Sequence, residues 1–65
     1  MNAQEFRALS AEELKDKEAT LRESLFRLRF KLSLGEIDAV KGYREARKDL
    51  ARVRTVQRER TSSRG

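Results

Sequence analysis

Apolar residues recur along two segments of this chain at the spacing of an α-helix. In the first segment, leucines three, four or seven residues apart fall on one side of a helix; they are Leu14, Leu21, Leu25, Leu28 and Leu32. The second segment shows the same spacing at Ala39, Tyr43, Ala46, Leu50 and Val53. Strand-forming residues are scarce and do not alternate with polar ones. The pattern predicts two helices whose apolar stripes pack against each other.

The stretch "LSAEEL" at residues 9–14 has the sequence of a helix start. The Ser10 hydroxyl can accept a hydrogen bond from the amide of Glu13, and the Glu13 carboxylate can accept one from the amide of Ser10. Leu9 and Leu14 flank this capping box at the positions of a hydrophobic staple. We therefore predict that the first helix begins at about residue 10.

Gly35 marks the end of the first helix, because glycine readily adopts the left-handed conformation that closes a helix. Asp38 is placed to cap the second helix. A short link between helices of similar length predicts an antiparallel hairpin. The predicted fold is all-α: a single domain over 1–65, with one helix over about 10–34, a loop over about 35–38, a second helix over about 39–60, short flexible termini and a flexible tail at 61–65.

The residue types exclude most catalytic and metal-binding chemistry. The 65 residues include no cysteine and no histidine, and therefore no thiolate, imidazole ligand or disulfide. The acidic groups Glu12, Glu13, Glu36 and Asp38 are typical of helix-start and loop charges rather than of acid–base pairs. A hairpin of this size also offers no concave pocket for a small-molecule substrate. We predict that the protein is not an enzyme and has no catalytic residue, metal site or cofactor.

The positive charge of the chain is concentrated in its last 25 residues. Residues 1–40 contain seven basic and eight acidic side chains, whereas residues 41–65 contain nine basic and three acidic ones, and the net charge is +5. This asymmetry favours a polyanionic partner, of which nucleic acid is the commonest. The alternative is a basic tail that serves solubility alone.

Neither a membrane span nor a signal peptide is predicted. No apolar run approaches the ~18 residues of a transmembrane helix. The N-terminal stretch "MNAQEFRALS" lacks the basic start and apolar segment of a secretory signal. We therefore expect a protein of the cell interior.

The second helix is predicted to carry a basic ridge beside its apolar stripe. At spacings of four, three and four residues, the ridge consists of Arg47, Ala51, Arg54 and Arg58, and just beyond it lie Arg44, Lys48 and Thr55. The small side chain of Ala51 would let the helix backbone approach a phosphate backbone, while the guanidinium groups form charge-assisted hydrogen bonds with phosphate oxygens. These residues are candidates for RNA binding. The alternative is a solvated helix face with Ala51 present for its helix propensity.

A second apolar patch is predicted on the first helix, turned away from the partner helix. Phe26 and Phe30 lie one turn apart and form this patch with Ala19 and Leu34. An exposed aromatic pair in so small a protein indicates a contact surface. The candidate contacts to RNA or protein are Phe26, Arg27, Arg29, Phe30 and Lys31. The alternative is that Met1, Phe6 and Leu9 fold back over the patch.

Two stretches of the chain resemble one known family. The stretches "LFRLRFKLSLG", residues 25–35, and "ARKDLARVRTV", residues 46–56, are similar to the large-subunit ribosomal protein 29 family, which also begins with a capped "LSxEEL"-type segment. The resemblance covers about residues 9–59, with the motifs in the same order in a chain of similar length.

The resemblance implies a helical hairpin bound to large-subunit rRNA near the exit of the peptide tunnel. In that family the neighbour is ribosomal protein 23 of the same subunit, and factors that meet the nascent chain bind nearby. The expected location is a cytoplasmic ribosome, and an organelle ribosome also agrees with the sequence. The family motif maps onto Arg47, Lys48, Ala51, Arg52 and Thr55 as rRNA-binding residues.

The main alternative function is a free regulator that binds nucleic acid as a homodimeric four-helix bundle. Such a protein would pair two hairpins through Phe26 and Phe30. A coiled-coil adaptor is a weaker alternative, because the leucine stripe is interrupted at Gly35.

Overall fold

The structure, a computed structural model, describes residues 2–62. It contains three helices, α1 (Ala3–Arg7), α2 (Ala11–Ser33) and α3 (Ala39–Ser62). The start of α2 lies beside the end of α3, where Leu14 and Gln57 line the same depression. Near the loop, Leu28 of α2 lies opposite Gly42 of α3, where an added Cβ would be 3.4 Å from a Leu28 methyl carbon. The two long helices are therefore antiparallel, which confirms the predicted all-α hairpin.

The start of α2 has the predicted capping box. The Glu13 amide donates to Ser10 Oγ over 3.1 Å, and the Ser10 amide donates to Glu13 Oε1 over 2.9 Å. The backbone and hydroxyl bonds with Ser10 lower the pKa of Glu13, since they favour its ionised form. The helix proper begins at Ala11, with Ser10 as its cap.

Gly35 ends α2 in the predicted left-handed conformation, with φ at +86°. The Gly35 amide donates to the carbonyl of Leu32 over 3.0 Å, and the Glu36 amide donates to the carbonyl of Lys31 over 3.1 Å. This pair of bonds is the Schellman motif, which satisfies carbonyl groups that a helix end leaves unpaired.

The first turn of α3 is closed by backbone groups rather than by the predicted Asp38 side chain. The Ala39 and Val40 amides donate to the carbonyl oxygens of Glu36 and Ile37 over 3.1 and 3.0 Å. The turn that begins at Glu36 thus continues directly into the helix, and its amides are already satisfied. At its other end α3 extends to Ser62, two residues beyond the predicted end, and residues 63–65 of the predicted tail lie outside the described residues.

Both apolar stripes meet in the seam between α2 and α3. Five stripe residues are buried, namely Leu14, Leu21, Ala39, Ala46 and Val53. The remaining stripe residues are half-buried along the same line. Two further core residues were not predicted, Phe6 and Val56, which are 0% and 1% exposed. In residues 2–62, no helix is long and apolar enough to cross a membrane.

The N-terminus differs from the flexible segment that was expected, because it forms the short helix α1. Asn2 and Glu5 make a second capping box, with bonds of 3.0 and 3.1 Å. Phe6 inserts into the core with Val53 and Val56 at the open end of the hairpin. The alternative in which Phe6 covers Phe26 and Phe30 is therefore wrong, and Met1 lies outside the described residues.

Polar contacts hold α1 against the end of α3. The Arg7 guanidinium donates two hydrogen bonds to the Glu59 carboxylate, over 3.0 and 3.1 Å. This pairing raises the pKa of Arg7 and lowers the pKa of Glu59. Arg60 also donates to the carbonyl oxygens of Arg7 and Leu9, so it satisfies the backbone where α1 ends.

We predict that Phe6→Ala destabilises the hairpin far more than Phe26→Ala. Removing a buried phenylalanine ring costs about 3–5 kcal/mol, a large share of the stability of so small a domain. Phe26 is 75% exposed, and an exposed substitution changes stability by only about 0.5 kcal/mol. Circular dichroism at 222 nm during thermal unfolding compares the two variants. Equal losses of helicity would contradict the placement of Phe6.

We predict a loss of helicity in acid that depends on Glu13 and Glu59. Both side chains have a pKa below the usual glutamate value in the folded chain. Each ionised carboxylate therefore stabilises the fold fully at any pH above the pKa that it has in the unfolded chain. That stability is lost as the pH falls through the folded pKa. The double variant Glu13→Gln, Glu59→Gln should therefore show a shallower loss of helicity between neutral pH and the acid range.

The matched control for this pH dependence is Glu12→Gln. Glu12 lies in the same helical turn as Glu13 but accepts no hydrogen bond from the described residues. The control should change the acid loss of helicity less than the double variant does. If the double variant and the wild type lose helicity over the same pH range with the same steepness, the two contacts do not stabilise the fold.

Candidate nucleic-acid interface

The basic ridge of α3 is exposed along its whole length. Because α3 is one continuous helix, spacings of four, three and four residues keep the ridge on one face. All four ridge residues are exposed, namely Arg47, Ala51, Arg54 and Arg58. Near the loop, a shallow depression is lined by Arg44, Arg47, Lys48 and Ala51. The structure thus brings three predicted cations around the small side chain of Ala51.

The acidic residues of α3 lie on other flanks of the helix. Asp49 accepts a hydrogen bond from Arg52 over 3.1 Å, and Glu59 pairs with Arg7. Glu45 lines one depression with Lys48, Asp49 and Arg52, and another with Arg44 and Lys48. Glu45 therefore lies next to Arg44 and Lys48, whereas the ridge of Arg47, Ala51, Arg54 and Arg58 carries no carboxylate from α3, so its positive field is not cancelled on that face.

Arg52 is the one predicted RNA-binding residue that the structure does not bring together with the ridge. It lies one residue beyond Ala51, about 100° around the helix. Its guanidinium pairs with Asp49 and is partly buried. This prediction came from the family motif alone, and the role of Arg52 in RNA binding stays a prediction.

Tyr43 also belongs to the candidate site, although the sequence pattern placed it only in the apolar stripe. The Arg47 guanidinium carbon lies 5.9 Å from the centroid of the Tyr43 ring. This distance is within the range of a cation–π contact, which favours one orientation of the guanidinium group. The four-residue spacing could have indicated this contact, since it places Arg47 over the tyrosine on the helix surface.

The hydroxyl of Thr55 is already used within the helix. Thr55 Oγ1 donates to the carbonyl of Ala51 over 2.8 Å. A phosphate oxygen accepts hydrogen bonds and cannot donate them, so Thr55 can meet it only by breaking this bond. The remaining lone pair of the hydroxyl can instead accept from a donor such as a ribose 2′-hydroxyl group.

The aromatic patch on α2 is exposed, as predicted. Phe26, Phe30 and Leu34 follow one another at four-residue spacing and are 75%, 59% and 63% exposed. Ile37, in the loop, is 80% exposed and was not among the predicted contacts. Of the predicted basic neighbours, Arg27 pairs with Glu23, while Arg29 and Lys31 are exposed.

The described residues present shallow surface depressions rather than an enclosed cavity. Within residues 2–62 no three carboxylates lie close enough to hold a metal ion together. What the surface offers instead is extended: a row of cations on α3 and an aromatic patch on α2. Both surfaces suit a macromolecular partner more than a small ligand.

Comparison with known proteins identifies relatives for almost the whole chain. A family described as ribosomal L29 protein matches residues 4–60. A protein of Carboxydothermus hydrogenoformans, named large ribosomal subunit protein uL29, is 48% identical over 64 residues, which are 98% of this chain and 93% of that protein. No solved structure matches this chain.

Two further relatives carry the same name. The protein of Acidobacterium capsulatum is 48% identical over 60 residues, which are 92% of this chain and 66% of that longer protein. The protein of Listeria welshimeri is 45% identical over 60 residues, which are 92% of this chain and 95% of that protein.

Proposed function

The chain belongs to the ribosomal L29 protein family, and from this premise we propose that it is a structural constituent of the large ribosomal subunit that binds rRNA phosphates through the basic face of α3. Membership of the family confirms the resemblance seen in the sequence and the prediction that the chain is not an enzyme. The observation that carries the proposal is the exposed ridge of Arg47, Arg54 and Arg58, which has no carboxylate from α3 on its face.

Phosphate contacts by the ridge account for the uneven charge of the chain. Each guanidinium group can donate two parallel hydrogen bonds to a phosphate, and each neutralised phosphate releases bound counterions. Ala51 leaves room for a phosphate strand to approach between Arg47 and Arg54. The cation–π contact with Tyr43 limits the rotation of Arg47, so less side-chain entropy is lost when it binds.

Recognition of shape and phosphate is proposed rather than recognition of base sequence. The amide side chains that pair with adenine edges occur only as Asn2, Gln4 and Gln57. Asn2 is used in the cap of α1, and Gln57 lies beside the seam. A face of arginines with an available hydroxyl acceptor at Thr55 suits the phosphates and 2′-hydroxyl groups of structured RNA.

The finer location follows from what the resemblance implies. We place the chain near the exit of the peptide tunnel, beside ribosomal protein 23, where factors meet the nascent chain. The exposed pair Phe26 and Phe30, with Arg27, Arg29 and Lys31 around it, offers a contact to rRNA or to that neighbour. The relatives named above are bacterial proteins, which favours a cytoplasmic ribosome over that of an organelle.

Replacing Arg47, Arg54 and Arg58 with glutamine should weaken binding to rRNA and reduce its dependence on salt. Each lost phosphate contact lowers the slope of log affinity against log salt by about 0.7–0.9. Filter binding to deproteinised large-subunit rRNA over a series of KCl concentrations measures this slope. An unchanged slope, with helicity equal to wild type, would refute the phosphate contacts.

Two substitutions at Ala51 separate charge from bulk at the site of closest approach. Ala51→Glu adds both a longer side chain and a negative charge, whereas Ala51→Gln adds similar bulk alone. Both variants should weaken binding, and the glutamate should do so more, because it also repels phosphate. Equal binding by the wild type and both variants would show that the RNA does not approach Ala51.

A monomeric free chain is expected if the protein is a ribosomal component, in contrast to a homodimeric regulator that pairs through Phe26 and Phe30. Analytical ultracentrifugation at two micromolar concentrations should show a monomer for the wild type and for Phe26→Ser, Phe30→Ser. The double variant should keep its helicity but reduce occupancy on the large subunit, since the lost contacts are external. A stable wild-type dimer that the double variant abolishes would favour the regulator.

A further inference from the structure

Basic residues follow seam residues at seven-residue intervals on both long helices. On α2, buried or half-buried leucines at positions 14, 21 and 28 are each followed directly by a cation, and the three cations are Lys15, Arg22 and Arg29. On α3, the buried residues Ala46 and Val53 are followed by Arg47 and Arg54. We call the first set the α2 row and the second the α3 row.

The hairpin geometry places both rows on the same side of the molecule. Consecutive residues are about 100° apart in an α-helix, so the residue after each seam position always lies on the same flank. An antiparallel pair is related by an approximate two-fold axis perpendicular to the plane of the hairpin. This rotation exchanges the helices but keeps each side of the hairpin in place, so the two flanks coincide.

Side-chain contacts agree with this placement. Lys15 of the α2 row lines one depression together with Gln57 and Thr61 of α3. Thr61 is seven residues beyond Arg54 and so continues the α3 row along the helix. The flanks of α2 and α3 that carry the two rows therefore meet on one side of the seam, which we call the cationic side.

The opposite side of the hairpin has a different character. The residue directly before each seam position lies on this opposite side. In α2 and α3 these residues include Glu13, Thr20, Arg27, Glu45 and Arg52. Lys17 lines a depression on this side with Leu9, Glu13 and Thr20. Helix α1 also lies here, because Leu9 meets α2 at this depression and Arg7 pairs with Glu59. One side is therefore cationic and uncovered by α1, and the other is mixed in charge and partly covered.

We propose that the rRNA-binding surface extends across the seam onto α2, and that Lys15, Arg22 and Arg29 contact phosphates beside those bound by Arg47 and Arg54. This inference rests on the proposed function, because it adds Lys15 and Arg22 to the same RNA site and assigns Arg29, until now a candidate contact to RNA or protein, to RNA. Its support is charge complementarity: the α2 row adds three cations to an exposed surface whose α3 flank has no carboxylate.

The single acidic partner within the α2 row does not prevent phosphate binding. Arg22 donates to the half-buried Glu18 over 3.1 Å through one of its nitrogen atoms. A guanidinium group has five N–H donors, so the others remain available to a phosphate. Helices in contact lie about 8–10 Å apart, so cations of both rows can contact phosphates of the same rRNA segment.

The test compares lysines on opposite sides of the hairpin within one helical turn. Lys15→Gln should lower the salt slope of binding to deproteinised large-subunit rRNA by about 0.7–0.9, whereas Lys17→Gln should leave it unchanged. The triple variant Lys15→Gln, Arg22→Gln, Arg29→Gln should lower the slope by about 2.1–2.7. The double variant Arg22→Lys, Arg29→Lys is the control, because it changes both side chains and keeps their charge. Its slope should stay near that of the wild type. A lower slope in this control would indicate a folding defect rather than a loss of charge.

The variant of Arg47, Arg54 and Arg58 distinguishes failure of this inference from failure of the proposed function. If that variant flattens the slope and the α2 triple variant does not, rRNA binding stands and the extension onto α2 is refuted. If neither variant flattens the slope, both are refuted. Equal effects of Lys15→Gln and Lys17→Gln would show that overall charge alone matters. A normal slope with reduced occupancy on intact subunits would assign the α2 row to a protein neighbour and refute RNA contact.

Discussion

Close packing of α2 against α3 is the constraint on which the other features of the molecule depend. Near the loop, Ala46 of α3 is buried against α2 beside the half-buried Tyr43, and a Cβ added at Gly42 would lie 3.4 Å from Leu28. Toward the open end, Val53, Val56 and Phe6 pack together in the core. Most of the stability of a helix in a protein comes from packing of its apolar face, so each long helix is stabilised chiefly by the partner that the seam provides.

The seam also sorts the charges of the chain. Each polar residue faces a direction that depends on how many positions separate it from a seam residue, so a seven-residue repeat in the core imposes a seven-residue repeat on the flanks. Cations follow core positions on both helices, whereas acidic groups are engaged elsewhere, Glu59 with Arg7 and Asp49 with Arg52. Such sorting suits the proposed contact with rRNA, because a surface of mixed charge would repel as much phosphate as it attracts.

Much of the hairpin and part of the candidate site could be predicted from local patterns. The leucine stripe, the Ser10–Glu13 box and the turn at Gly35 each depend on neighbours within a few residues, and all three are present. The ridge of α3 was predictable for the same reason, since one helix positions all its members. The role of Phe6 was not, because its partners Val53 and Val56 lie about fifty residues away in the sequence and no periodic pattern surrounds it.

The sequence by itself determined which residues form helices, which faces are apolar and which face of α3 is basic. These properties follow from helical periodicity and capping, and both are local. Only the tertiary structure decided that α1 closes one side of the open end, that Glu59 is held by Arg7, and that the cations of α2 lie beside those of α3. The physical reason is that each of these three features depends on how two helices are oriented relative to each other. The periodicity of one helix does not specify which side of the neighbouring helix lies next to it.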